Sequence, residues 1–104
     1  MSTRATIRIS DGDETYFVYR HCDGYPKNVE PDILAAIELQ CRLSGPETGH
    51  LVSLLLGTTY RSDARVQIYE MTPCFHGDEN YRYFVKWNRE TQRWELEPPE
   101  RSGK

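Results

Sequence analysis

Residues 3–9 alternate strictly, Ala5, Ile7 and Ile9 interleaving with Arg4, Thr6 and Arg8. A two-residue period of this kind predicts a strand with one buried face. Ser10-Asp11-Gly12-Asp13 follows with turn chemistry, because Gly12 accepts positive φ and the Asp side chains bond to nearby backbone. Residues 15–20 resume strand sequence, with Tyr16 and Val18 on one side and Phe17 and Tyr19 on the other. The two segments read as a hairpin whose second strand is central and covered on both faces.

The period then lengthens. Pro31 suits a first helical position, Asp32 favours the positive end of a helix, and Ile33, Leu34, Ile37 and Cys41 share one side at helical spacing. A helix over residues 31–43 follows, with Leu39 and Leu43 as a second apolar strip. Ser44 and Glu47 have capping-box spacing, which predicts a shorter helix over residues 46–56, stopped by Gly57. Alternation returns in residues 65–71 and is strongest in residues 80–87, where Tyr81, Tyr83, Val85 and Trp87 interleave with Arg82, Phe84 and Lys86. Residues 93–96 read as a short last strand, and Pro98-Pro99 opens a flexible tail over residues 98–104. The expected architecture is a single α+β domain over residues 1–97 in the order ββααβββ. Short turns between strands predict an antiparallel sheet of about five strands, with both helices packed on one face.

Composition narrows the class. A chain of 104 residues has room for one core, and its twelve aromatic residues offset a hydrophobic content of 38%. The longest apolar run, residues 51–56, is broken by Ser53 and falls far short of the roughly 20 residues that cross a bilayer. The first residues carry no apolar signal core, so a cytoplasmic protein without membrane contact is expected. Cys22, Cys41 and Cys74 are odd in number and irregularly spaced, which reads as reduced thiols. A net charge of −3 argues against a nucleic-acid partner, whose phosphates demand many Lys and Arg contacts.

Chemistry concentrates in residues 20–26, Arg20-His21-Cys22-Asp23-Gly24-Tyr25-Pro26, at the exit of the second strand. The structural reading makes Asp23-Gly24 a tight turn and Tyr25 a cap on the core. A catalytic reading activates Cys22 with His21 or His76, but neighbours on a strand point to opposite faces. A metal reading gathers His21, Cys22, Cys74 and His76, whose spacing departs from the common zinc patterns. Neither carries a prediction, so no catalytic residue, metal or cofactor is assigned. A nucleic-acid reading uses Arg4, Arg8, Arg82 and Lys86 with Tyr81, Tyr83 and Trp87 as stacking platforms. Within residues 80–87 the alternation sets those aromatics on the face opposite Arg82 and Lys86, so charge and stacking separate.

The opening Thr3-Arg4-Ala5-Thr6-Ile7 and the later His21-Cys22-Asp23-Gly24-Tyr25-Pro26 resemble a group of small phage- and prophage-encoded proteins. In that group the position of Cys22 is often Trp. The shared positions are Thr3, Arg4, Thr6, His21, Asp23, Gly24 and Tyr25. The resemblance implies a mobile-element origin and carries no activity with it. It suggests a non-enzymatic protein-interaction module acting on a host protein, with inhibition of a host or defence protein as a special case. The alternative is a small-ligand or catalytic domain. It would use the turn over residues 20–26, and the candidate ligand- or partner-binding residues are Arg4, His21, Asp23, Gly24 and Tyr25, with Arg4 and His21 at the same end of the first hairpin.

Overall fold

The computed structural model describes residues 3–42, 46–59 and 68–101. Ser44 of the expected capping pair, the first part of the expected strand over residues 65–71 and the last three residues of the chain lie outside them. The element order is β1 (Ala5–Ser10), β2 (Thr15–Arg20), α1 (Pro26–Gln40), α2 (Thr48–Thr58), β3 (Tyr69–Thr72), β4 (Tyr81–Asn88), β5 (Arg93–Leu96) and β6 (Glu100–Arg101). The strands form one sheet in the order β3-β2-β1-β4-β5, with β6 also paired to β4.

The α+β class and the single layer of two helices follow the sequence pattern, but the sheet is mixed rather than antiparallel. β1 pairs antiparallel with β2 and parallel with β4. Its neighbour β4 arrives by a crossover: β3 sits at the far edge, beyond β2, and runs in the same direction as β4. Residues 73–80 therefore return across the sheet, on the face the helices leave open. We call this segment the strap. A crossover of eight residues reads in sequence like a simple turn, and for that reason the parallel pair is not visible there. Among the described residues there is also a sixth strand. Glu100 and Arg101 pair with Arg82 and Tyr81 in the segment assigned to the tail.

Alternation decides what each face buries. Ala5, Ile7 and Ile9 of β1 meet Val18 of β2 and Tyr83 and Val85 of β4 on the helix side, against Val29, Ile33, Ala36, Leu51, Val52 and Leu55. α1 begins five residues earlier than Pro31 predicts, with Pro26 in its first turn and Pro31 inside it. Pro26 stands in the first turn, where its missing N–H costs no helical bond, whereas Pro31 stands inside the helix and removes one. The earlier proline is used because the extra turn buries Val29 completely. α2 runs on through Gly57 to Thr58, so that glycine does not stop the helix. The hydroxyls of Thr58 and Thr59 satisfy the last-turn carbonyls of Leu54 and Leu55 instead. Among the described residues no helix is long and apolar enough to cross a membrane.

Candidate functional site

Arg20 ends β2 and is buried despite its charge, so every donor needs a partner. Its Nε donates to the Cys22 carbonyl at 2.7 Å and its Nη1 to the Tyr69 hydroxyl at 3.0 Å. That hydroxyl donates in turn to Asp32 on α1 at 2.8 Å. The strand end, the helix and β3 are thus tied together by one ionic network. Gly24 lies beneath it, its N–H donating to the Thr3 carbonyl at 2.9 Å while its carbonyl accepts from the Tyr83 hydroxyl at 2.8 Å. A Cβ on Gly24 would stand 2.8 Å from the Ala5 Cβ and 3.0 Å from the Arg4 carbonyl carbon, so only hydrogen fits. Asp23 takes a left-handed φ of 55° and holds Asn28 through its carbonyl, leaving its carboxylate exposed. Tyr25 occupies the N-cap of α1, and its ring centroid lies 6.2 Å from that of Tyr81. Asp23, Gly24 and Tyr25 therefore form a closed turn.

Arg4 and His21 lie elsewhere. The pairing of Ala5 with Arg20 sets both at one end of the hairpin, where the strap descends over the helix-free face. There Tyr19 is the hub. His76 of the strap stacks on its ring at 3.7 Å between centroids, and His21 meets the ring edge at 4.7 Å. The Tyr19 hydroxyl donates to Asp78 at 3.0 Å, and Arg4 pairs with the same carboxylate at 3.7 Å. His21 Nε2 bonds to Glu70 on β3, while His76 Nε2 lies 2.9 Å from Thr72 Oγ1 and its Nδ1 faces Asp78 at 4.0 Å. Burial, the bond to Asp78 and the charge of Asp78 push the Tyr19 phenol up to about 12.

Glu79 pins the strap. Its side chain is fully buried and accepts from Thr6 Oγ1 at 2.9 Å, Arg82 Nε at 2.9 Å and the backbone N–H groups of His76 and Gly77 at 3.0 and 3.1 Å. Burial opposes its charge. The bonds from Thr6, Arg82 and Gly77 and the Arg82 guanidinium outweigh that cost and hold the carboxyl below its ordinary range. Sequence reasoning missed Glu70, Asp78 and Glu79, because a turn-like stretch gives no sign that it will cross a sheet.

The rest of this face combines rings with cations. Arg8 of β1 lies between Phe17 of β2 and Phe84 of β4 in the strand register. Phe75 of the strap joins the two, with centroids 5.0 Å from Phe17 and 6.0 Å from Phe84, and the Arg82 guanidinium covers Phe75 at 4.3 Å. Lys86 pairs with Glu97 at 3.3 Å. Arg8, Arg82 and Lys86 thus share a face with phenylalanines, whereas Tyr83 belongs to the helix-side core and Tyr81 and Trp87 pack against it. His21 bonds to Glu70 rather than activating Cys22, and Cys22, Cys41 and Cys74 are free and exposed. Among the described residues no group of three or more His, Cys, Asp or Glu could hold a metal ion.

Three buried phenols should register in an alkaline titration followed by phenolate absorbance. Tyr19 should ionise near pH 12, with Tyr69 and Tyr83 later still, because burial first and the carboxylates of Asp32 and Glu30 second disfavour their phenolates. A phenol raised on folding stabilises the native state below its unfolded value and loses that contribution as pH climbs through the folded one. Wild type should therefore lose stability between about pH 10 and 12, and Tyr19→Phe should lose less. Normal ionisation of all the tyrosines while the fold persists would refute this burial.

Compared with known proteins, the chain matches no protein-family model, no curated protein and no solved structure.

Proposed function

We propose that the chain is a non-enzymatic protein-interaction module that recognises its partner through the helix-free face of the sheet. One observation carries the reading: this face is a prearranged surface. Arg4, His21, His76, Arg82 and Lys86 are each held by a carboxylate or hydroxyl of the fold, beside a half-open row of Phe17, Phe75 and Phe84. Side chains already fixed lose little entropy on binding, and aromatic and arginine side chains are the groups enriched at the cores of interfaces. Nε2 of His21 is turned towards Glu70, and the two nitrogens of His76 towards Thr72 and Asp78, which fixes both rings in the surface. The resemblance to phage-encoded proteins makes a host protein the proposed partner, with blocking of a host or defence protein as one form of the activity.

The test is capture from a bacterial host lysate with three folded baits: wild type, a Phe17→Ala, Phe84→Ala face variant and a Leu34→Ser variant. Leu34 is 54% exposed on α1 and serves as the helix-side control. A partner held by wild type and Leu34→Ser but reduced about tenfold or more with the face variant supports the proposal. Retention by the face variant and loss with Leu34→Ser would move the interface to the helices.

A further inference from the structure

We propose that Arg8 is the anchor of this surface and takes one carboxylate of the partner, an Asp or Glu flanked by apolar side chains that rest on the phenylalanine row. The inference rests on the interaction reading and adds the chemistry of what is bound.

Arg4 faces Asp78, Arg82 faces Glu79 and Lys86 faces Glu97. The side chain of Arg8, half-buried on the central strand β1, has no ion pair or hydrogen bond among the described residues. Its register neighbours are Phe17 and Phe84, and the nearest side chains along β4, Arg82 and Lys86, are also cations. The centre of the face therefore holds an uncompensated positive charge beside apolar walls. A guanidinium half removed from water gains most from a carboxylate, which it can bind through two parallel hydrogen bonds. The flanking rings would exclude water from that pair and strengthen it.

The surroundings decide between a protein and a polyanion. Asp78, exposed in the strap, lies on one side of Arg8, and Glu95 and Glu97 lie on or beside β5 on the other. A nucleic-acid strand crossing Arg8 would carry its next phosphates onto these carboxylates. A single carboxylate within an apolar peptide segment meets the cation and the rings and avoids the acidic rim. The chain's net charge of −3 points the same way.

The experiment is selection from a phage-displayed library of random dodecapeptides on wild-type protein. Affinities of the selected peptides are then measured for wild type, Arg8→Gln and Lys27→Gln, the last an exposed cation on α1. Thermal unfolding confirms that each variant is folded, and the ring resonances of Phe17 and Phe84 report the site. Selected peptides should share an Asp or Glu beside an aromatic or large aliphatic residue. They should shift both rings, bind Arg8→Gln about tenfold or more weakly, as expected for a lost charged hydrogen bond, and bind Lys27→Gln unchanged. Peptides without an acidic residue that shift the same rings and bind Arg8→Gln equally would overturn the anchor and leave the interaction face standing. Peptides that shift α1 instead would overturn both, and no enrichment would overturn the anchor. An oligodeoxythymidine that binds more tightly than any selected peptide and is lost with Arg8→Gln would make the partner a nucleic acid.

Discussion

Replacing Glu79 with alanine should lower the unfolding free energy by about 2–4 kcal/mol, among the largest single losses available on the helix-free face. The carboxylate is fully buried and serves Thr6, Arg82 and two strap N–H groups at once. Its removal strands those donors. Arg82, one-third exposed, can recover water, which keeps the expected loss below that of a wholly buried pair. In a domain of this size the change corresponds to a fall in Tm on the order of 10–20 °C. Proton linkage gives an independent signature. The folded carboxyl titrates below its ordinary value of 4.5, so its stabilisation is complete above that pH and is lost as pH falls through the folded value. Urea unfolding across the acid range should show stability declining below about pH 4.5 in wild type and a flatter decline in Glu79→Gln. A Glu79→Ala protein within about 0.5 kcal/mol of wild type would mean that the strap is not pinned as described.

Gly24→Ala should cost about 2–3 kcal/mol for a different reason, overpacking against backbone. The added Cβ meets the Ala5 Cβ at 2.8 Å, the Arg4 carbonyl carbon at 3.0 Å and the Ala5 nitrogen at 3.1 Å. Two of those atoms are backbone and the third is a Cβ whose position the backbone fixes, so none of them can rotate away. Movement of the turn would also stretch the bonds from Gly24 to Thr3 and Tyr83. Ala5→Gly removes the closest contact and leaves the other two, so the double variant should recover part of the loss. A coupling of about 1 kcal/mol is expected. Strict additivity of the two substitutions would show that the turn and β1 do not meet there.

These two positions also show how far the chain could be read before its structure. Gly24 and its neighbours announce a turn through their own conformational preferences, and the hairpin register that sets Arg4 and His21 at one end follows from two alternating segments. β5, residues 93–96, was legible to the residue because Trp94 and Leu96 alternate between turn residues and a proline pair. Other features depend on partners distant in sequence. The parallel β1–β4 pair arises from the path of residues 73–80, and that path is set by Glu79 reaching Thr6 and by His76 reaching Tyr19. Nothing local in the strap encodes those contacts. The same gap hid the charged phenylalanine face. Alternation correctly separated Arg82 and Lys86 from Tyr83, but Phe17 and Phe75 join Phe84 only after β2 and the strap are placed. The start of α1 reads in sequence as Pro31, but the helix begins at Pro26, because the extra turn buries Val29, a gain that no local signal announces.

The most direct test of the account is amide hydrogen exchange on the complex with a captured partner, compared with the free protein. If the helix-free face is the recognition surface, slowing should concentrate in β1, β4 and residues 73–80, with α1 and α2 little changed. Slowing confined to the helices, with the strap exchanging as it does in the free protein, would contradict it.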